Sequence, residues 1–412
     1  MSSPTRAVVL GLGPAGRIAA HRAAARGWDV VVLDPAGGSM PSTVGAWARQ
    51  LPSWLSPDAV ASRFRPTVIA SDGSRRLLDD DYAVLDTGHL ASLGGFEVHR
   101  VAGSADSRAA RADGPAVHVD RPEGADALGE WTRPDVVVDA VGSGSGEPVL
   151  GARQLAFGQI FGEEDLPADV RVAALMDFTV PGGDDATETD AATDCPATFS
   201  YRIPLGDGRW LIEETILAAR ASGDPDDPRR AELHAHLRRM QARRLADLGV
   251  DAETVTAEEI VDFPMGPRRL PGSATPGLGR FGAGGGWMHP ATGYSVGAVL
   301  ADVDRFLDRL ESRADASPPG GRPLAWLRRR GLHVLLGFDA DQSRDFFDAF
   351  LSLPDAAIRE YLTGASTTKT LAVMIRLAIP LGRRNPATLG RLLVTFLDGR
   401  RSATSQSRVR NS

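Results

Sequence analysis

Two acidic residues stand side by side in an otherwise apolar run, Trp210-Leu211-Ile212-Glu213-Glu214-Thr215-Ile216-Leu217. The run reads as a β-strand, and successive strand residues face opposite sides, so one carboxyl must point into an apolar interior or cleft. Desolvation there disfavours the charged form and raises the pKa, which suits an acid that has to keep its proton near neutrality. Glu213 is the leading candidate acid, with Glu214 on the other face. The same pattern also fits an edge strand whose two acids are solvated or paired with arginine. Asp177, isolated in an apolar strand, is a further candidate for orienting a substrate or assisting proton movement; alternatively it caps the loop that follows. Cys195, the single cysteine, has no base beside it in sequence, so thiol catalysis is not expected.

A second set of residues points to a nucleotide. Gly11-Leu12-Gly13-Pro14-Ala15-Gly16 follows the apolar run Ala7 to Leu10 and opens an Ala-rich helical segment to Arg26; the next apolar run, Val30 to Leu33, ends in Asp34. Strand, glycine turn, helix, strand and terminal acid is the βαβ unit that holds a dinucleotide. Gly11 permits the tight turn, Gly13 lets the backbone approach a pyrophosphate, and Gly16 allows close packing of helix on strand. The helix N-terminus, with Pro14 and Ala15, faces the negative charge, and Asp34 would accept from ribose hydroxyls.

Two distant segments extend this site. Asp135 to Ala140, a continuous apolar run suited to a parallel strand, leads to Gly142 within a glycine–serine stretch to Gly146. Arg280 to Gly286, with Gly282, precedes Trp287-Met288-His289-Pro290-Ala291-Thr292-Gly293-Tyr294 and a helical stretch, Ser295 to Leu310. A flavin is commonly held by an N-terminal βαβ unit and again by a distant glycine-led helix start, so FAD is favoured over a simple NAD dehydrogenase. His289 reads as a flavin contact or as a hydrogen-bonded turn residue; Trp47 and Tyr294 read as packing against substrate or flavin.

The remaining elements must position these groups. The predicted class is α/β: a Rossmann-like FAD-binding domain, an inserted mixed β/α substrate domain, and a helical C-terminal lobe. Residues 1–155, with an inserted segment 50–130, and the return segment 271–315 form the first; 156–270 the second; 316–402 the lobe; and 403–412 a disordered tail. In the middle region, strands Thr198 to Ile203 and Arg209 to Leu217 flank a turn, Pro204 to Gly208, and Leu233, Leu237, Met240 and Leu248 describe an amphipathic helix. The apolar stretch Leu371 to Ile379 is expected to stop at Pro380, about half the length of a membrane span. It reads either as buried core or as a helix in the headgroup region, with Arg383, Arg384, Arg391, Arg400 and Arg401 attracted to anionic lipid.

Composition narrows the classes. The 412 residues include 46 basic and 53 acidic side chains, a net charge of −7, which disfavours nucleic acid as a partner. With one cysteine there is no disulfide and no thiolate cluster for a metal, and none is expected. No secretory signal or membrane-spanning run is read, so the expected location is cytoplasmic with peripheral membrane association.

The chain resembles the flavin-dependent lycopene cyclases of the non-transmembrane type. Leu211 to Thr215 matches their Phe-Leu-Glu-Glu-Thr motif, and Gly282 to Val296 resembles their long glycine-to-tyrosine block. Gly45-Ala46-Trp47, Asp139-Ala140 with Gly142, Phe157-Gly158, Met176-Asp177-Phe178, Phe199 to Pro204, Pro264-Met265-Gly266, and Phe346-Phe347 with Leu353-Pro354 occur in the family's order. The resemblance implies acid-initiated, non-redox cyclisation of the linear ends of lycopene to β-ionone-type rings, with Glu213 as acid and Glu214 and Asp177 as further catalytic candidates. It implies FAD, needed reduced, with NAD(P)H as upstream electron donor. Trp47, Phe178 and Trp287 are the expected substrate contacts. Distant relatives on this scaffold include flavin-dependent monooxygenases and isoprenoid reductases, which form the alternative reading.

Overall fold

A computed structural model describes residues 4–398 apart from 36, 39, 41, 101–104, 109–115, 120–130, 132, 143–148, 184–194 and 266–275. The stretch 143–146, Gly266, Arg400, Arg401, the expected tail and most of the acidic loop after Phe178 therefore lie outside the described residues.

The first third of the chain runs through β1 (Arg6–Leu10), α1 (Pro14–Ala25), β2 (Asp29–Leu33), β3 (Val44–Trp47), β4 (Val60–Phe64), β5 (Thr67–Ile69), β6 (Arg75–Leu77), β7 (Tyr82–Leu85), α2 (Thr87–Ser92), β8 (Glu97–His99), β9 (Ala105–Arg108), β10 (Ala116–Val119) and β11 (Val136–Asp139). There follow β12 (Ala152–Gly162), β13 (Ala174–Asp177), β14 (Phe199–Gly206), β15 (Arg209–Arg220), α3 (Pro228–Asp247), β16 (Ala257–Pro264), β17 (Leu278–Arg280) and α4 (Val296–Glu311). Five helices close the described chain: α5 (Gly321–Leu335), α6 (Ala340–Leu351), α7 (Asp355–Thr363), α8 (Thr367–Arg384) and α9 (Pro386–Asp398).

β17, β11, β1, β2 and β8 form a wholly parallel sheet in that order. Its central strands are Val-rich because helices or loops cover both faces: Val8, Val9, Val137 and Val138 are fully buried. α1 and α4 pack on one side, where Ile18, Val303, Phe306 and Leu307 join one core. This is the α/β, Rossmann-like architecture expected from the first 34 residues, with a helical C-terminal region.

A second sheet of seven strands runs β16-β12-β15-β14-β13-β5-β6 and is mainly antiparallel. α3 covers one face, placing Leu233 and Leu237 against Leu155 and Ile216. Asp227 caps this helix by accepting from Arg229 N, and Pro228 fills its first turn. The opposite face meets β7 through Ile203, Leu211 and Val84, and the C-terminal helices through Phe199, Phe346, Phe350 and Tyr361. The β14–β15 turn is tighter than the five-residue turn expected: β14 continues through Gly206, and Asp207 and Gly208, both at positive φ, make the reversal.

α8 passes through Pro380 rather than stopping there. Leu377 and Leu381 are buried on either side of the proline and hold the helix to α6, whereas Arg376, whose carbonyl would have accepted the missing N–H, is exposed to water. No helix among the described residues is long and apolar enough to cross a membrane.

Candidate active site

Strand alternation separates the two glutamates. On β15, Glu213 shares a face with Thr215 and Leu217, and directly across the ladders lie Tyr201 of β14 and Gly158 of β12. Glu213 is 7% exposed and accepts a 3.0 Å hydrogen bond from Thr215 Oγ1. Burial, followed by the charge of Glu259, pushes its carboxyl up to about 8 against the opposing effect of Thr215. At neutral pH Glu213 is therefore an acid with its proton on. Around it stand the phenols of Tyr82, which is buried, and of Tyr201 and Tyr294, which are partly buried; desolvation raises all three, Tyr294 to about 12.

Glu214 faces the other way and is fully buried beneath α3. Arg244 Nε of that helix donates to Glu214 Oε1 at 2.7 Å, and Arg244 Nη1 lies 3.8 Å from Asp177 Oδ1. Arg202 Nη2 is 3.2 Å from Asp177 Oδ2. Burial works against the charge on Arg244, but the two carboxylates outweigh it. Asp177 also accepts from Thr179 N at 3.0 Å and from Thr179 Oγ1 at 2.6 Å. Asp177 and Glu214 thus meet in a buried, charge-balanced network on the α3 side. The structure brings neither to Glu213.

The three glycine segments come together as the sequence suggested. A Cβ on Gly11 would sit 2.8 Å from Ala140 O, and one on Gly16 would collide with Gly11 O, so helix, turn and β11 are in van der Waals contact. A Cβ on Gly282 would come within 2.5 Å of Ala15 Cβ, which places the return segment on the start of α1. Gly284 packs equally tightly on Gly142 O. At Gly13 and at Gly142, by contrast, an added Cβ would meet nothing within 4 Å. The space over Gly13 therefore opens at the N-terminus of α1, whose first amides lack a side-chain cap. Asp34 Oδ2 accepts from Leu12 N at 2.7 Å and Oδ1 from Gly38 N at 3.3 Å, which fixes the carboxylate at the end of β2.

The segment from Gly286 to Tyr294 folds as a compact turn: Gly293 N and Thr292 N donate to His289 O, and His289 N donates to Tyr294 O at 2.8 Å. Gly293 has a φ of +77°, and any side chain there would strike Gln154 on the Glu213 face of the second sheet. His289 is buried with Nδ1 accepting from Ala291 N at 3.2 Å; burial and Arg328 hold its pKa well below 6.5, so the ring is neutral. Pro290 lies within this turn. Among the described residues the buried Thr292 Oγ1, Gln154 Oε1 and Trp47 Nε1 have no hydrogen-bond partner. Buried polar atoms without a partner in the protein are suited to hydrogen bonds with a polar ligand.

The Glu213 face also holds an aromatic chamber of about 30 Å³ walled by Phe199, Tyr201, Tyr294, Phe347, Phe350 and Tyr361. Phe178, Phe199, Leu217, Leu335 and Phe347 are shared with an adjoining cavity of about 490 Å³. Phe178 stacks on Phe347 at 4.5 Å between ring centroids. Trp47 packs edge-on to Tyr82 at 5.4 Å. Trp287 instead stacks within the core of the parallel sheet, against Phe281 and Phe306, with Nε1 donating to Asp302 at 2.8 Å. Its ring lies away from the aromatic chamber.

Several residues of this site were not singled out from sequence: Arg244, Arg202, Tyr82, Tyr201 and Glu259. Arg244 carried a signal, being an arginine on the sheet-facing stripe of an amphipathic helix. The tyrosines and Glu259 carried none, because their relevance depends on strand register.

A parallel, Rossmann-like sheet joined to a second, mainly antiparallel sheet, with a buried carboxyl of raised pKa on the side that faces an aromatic chamber, defines the protein as α/β with a helical C-terminal region. The chain belongs to the lycopene cyclase family, whose sequence model, described as lycopene cyclase protein, matches residues 7–385. It is 31% identical to an uncharacterized carotenoid cyclase of Deinococcus radiodurans, over 94% of this chain and 95% of that protein. It is 26% identical to the lycopene beta cyclase of Synechococcus elongatus, over 90% and 92%, and 24% identical to the chloroplastic lycopene beta cyclase of Arabidopsis thaliana, over 91% and 81%. Similar solved structures include FqzB, at 15% identity and a TM-score of 0.49 over 97% of this chain and 95% of that one. The p-nitrophenol 4-monooxygenase PnpA of Pseudomonas putida DLL-E4 matches at 15% identity and a TM-score of 0.43, over 97% and 98%.

Proposed function

We propose that this protein is an enzyme that closes β-ionone-type rings at the linear ends of lycopene by an acid-initiated isomerisation without net redox change. The observation that carries the reading is Glu213: a buried carboxyl raised to about 8, on the aromatic side of the sheet, in a chain of this family. Alkenes are weak bases, so the donor has to be neutral and dry, and Glu213 is both. Its proton goes to the end of the polyene and leaves a tertiary cation. The neighbouring double bond attacks that cation to form the ring bond, and loss of a different proton restores a neutral hydrocarbon. One proton enters, one leaves, and no electrons are transferred.

The chain's own residues do three further things in this reading. Phe178, Phe199 and Phe347 line the way in and exclude water from the acid. The phenols of Tyr82, Tyr201 and Tyr294, neutral across the physiological range, present aromatic surface that tolerates a cation. The Glu214–Arg244–Asp177 network braces β15 from behind, so that Glu213 keeps its direction. The inner chamber is the narrower one, and a polyene end reaches Glu213 only as aromatic rings turn aside.

FAD is the cofactor we assign to the cleft. Gly11, Gly13, Pro14, Ala15 and Gly16 would cradle its pyrophosphate, Asp34 at the end of β2 would face the ribose hydroxyls, and Gly142, Gly282, Gly286, His289, Pro290, Thr292, Gly293 and Tyr294 would flank the rest. Held there in its reduced form, with NAD(P)H as the upstream electron source, FAD would supply negative charge that favours a cationic intermediate.

The substrate resides in a membrane, and α8 and α9 offer a docking face. Leu371, Ile375 and Ile379 stand at helical spacing on the exposed side of α8, beside exposed Leu393, Val394 and Leu397 of α9. Exposed Arg376 and Arg383 accompany them, whereas Arg384 is paired with Asp345 and Asp348 and Arg391 donates to Gly337 O. The protein in this reading works peripherally at the cytoplasmic face.

Expression in cells that accumulate lycopene, followed by chromatography of the pigments, tests the reaction. Cyclic carotenes are expected; unchanged lycopene sinks the proposal, and stoichiometric NAD(P)H consumption would mark a monooxygenase or reductase instead. Glu213→Gln should retain flavin and lose cyclisation by about 10²-fold or more, the usual contribution of a general acid.

A further inference from the structure

The seven-stranded sheet brings a second glutamate to Glu213. In the ladder, Glu213 of β15 pairs with Gly158 of β12, and Gly158 pairs with Glu259 of β16. Directly paired residues share a face, so Glu213 and Glu259 project to the same side, two strand spacings or about 10 Å apart at Cα. The position between them has no side chain: a Cβ on Gly158 would lie 3.2 Å from Glu213 Cβ and 3.3 Å from its Cγ. The Glu213 stem thus leans over the glycine towards β16.

Glu259 is only 7% exposed, and both its oxygens are engaged by one residue. Thr43 N donates to Oε1 at 2.8 Å and Thr43 Oγ1 donates to Oε2 at 2.7 Å. Burial raises the Glu259 carboxyl above its ordinary value, and the two Thr43 donors work against that rise by favouring the charged form. Glu213 has one such bond, from Thr215, and the other groups around it are neutral phenols: Tyr201 on β14, Tyr82 on β7 and Tyr294 in the turn before α4. Behind the sheet the charge of Glu214 is matched by Arg244. When two nearby, equally buried carboxyls compete, the one with more hydrogen-bond donors ionises first and holds the proton on the other.

We propose that Glu259 is a positioning residue for the acid: with both oxygens bonded by Thr43 it gives up its proton before Glu213 does, and its negative charge on Glu213's own face of the sheet holds the proton on Glu213. Thr43 lies in the loop that follows Asp34, so the charge is tied to the nucleotide-binding half of the molecule. This rests on Glu213 as the acid of the proposed reaction.

The test is an infrared titration of the flavin-loaded full-length protein, following the C=O stretch of the protonated carboxyl that Glu213→Gln removes. In the wild type this band should disappear around pH 8. In Glu259→Gln, which can still bond Thr43, the midpoint should fall by about one unit, and the alkaline limb of cyclisation should move with it. Turnover at pH 8 would drop about fivefold while the acid plateau stays within about twofold. Glu259→Asp, which keeps the charge, should hold the midpoint close to the wild-type value. An unchanged midpoint in Glu259→Gln overturns the proposal, as does an equal loss of turnover at every pH in both variants. Should the band shift as expected while no pH yields a cyclic product, the pair stands and the cyclase reading falls.

Discussion

The carboxyls of Glu213 and Glu214, separated by one peptide unit, lie on opposite sides of a sheet and in opposite surroundings: Glu214 accepts from Arg244 at 2.7 Å, while burial pushes the Glu213 carboxyl up to about 8. Glu213 is raised first by burial and then by the charge of Glu259, whereas Glu214 has the buried cation of Arg244 beside it. The consequences can be measured.

Stability should depend on pH through Glu213. Its folded-state pKa, about 8, lies above the unfolded value near 4.3, so the native state holds a proton that the unfolded chain releases. That contribution is complete below the unfolded pKa and is lost as pH rises through the folded one. Glu213→Gln stays neutral throughout. Urea unfolding should find the variant close to wild type at pH 5 and more stable at pH 9 by on the order of a few kcal/mol. A gap of the same size at both pH values would contradict the raised pKa.

Arg244→Met should be costly for a different reason. It strands Glu214, fully buried, and Asp177, 3% exposed, without their shared cation. Breaking a buried pair from one side costs about 3–5 kcal/mol. Thermal melting should show the loss, and the double variant Arg244→Met with Glu214→Leu should recover part of it. A single variant that melts at the wild-type temperature would show that the network carries little.

Gly13→Val separates folding from cofactor binding. A side chain at Gly13 meets no protein atom within 4 Å of its Cβ, so the fold should tolerate it. The same side chain would fill the opening over the start of α1. We expect a melting temperature of the flavin-free protein within a few degrees of wild type and loss of bound flavin absorbance. Retention of stoichiometric flavin would move the phosphate site elsewhere.

The docking face is tested by Ile375→Glu combined with Leu397→Glu. These side chains are 64% and 69% exposed, so charge there should leave the melting temperature unchanged. Sedimentation with vesicles of anionic phospholipid should fall by about tenfold, and activity on carotene presented in those vesicles should fall in parallel. Undiminished binding would exclude α8 and α9 as the contact.

Much of the molecule could be read from local pattern. The turn from Gly11 to Gly16 between two apolar runs is a chain-local device, since strand, glycines, helix start and Asp34 all lie within 34 residues. The opposed directions of Glu213 and Glu214 likewise follow from the two-residue period of a strand. Asp177 was legible as a buried acid but not as a partner of Arg202 and Arg244, because nothing local marks residues 25 and 67 positions away. Trp287 reads as a substrate contact in sequence; in the structure its indole N–H donates to Asp302 on α4 while the residue borders a small cavity with Trp47 and Tyr294. Pro380 promised a helix end that the packing of Leu377 and Leu381 overrode.

The sequence by itself determined the class of sheet, the position of the phosphate turn and the fact that two adjacent acids must diverge, since these depend on backbone periodicity and on glycine's missing side chain. Only the tertiary structure decided which acid keeps its proton. That choice turns on Arg244 from a helix on one side and on Glu259, Thr43 and three tyrosines on the other. Desolvation and Coulomb interactions act through space, and residues as far apart in the chain as Thr43 and Glu259 become electrostatic neighbours only once strand register is fixed.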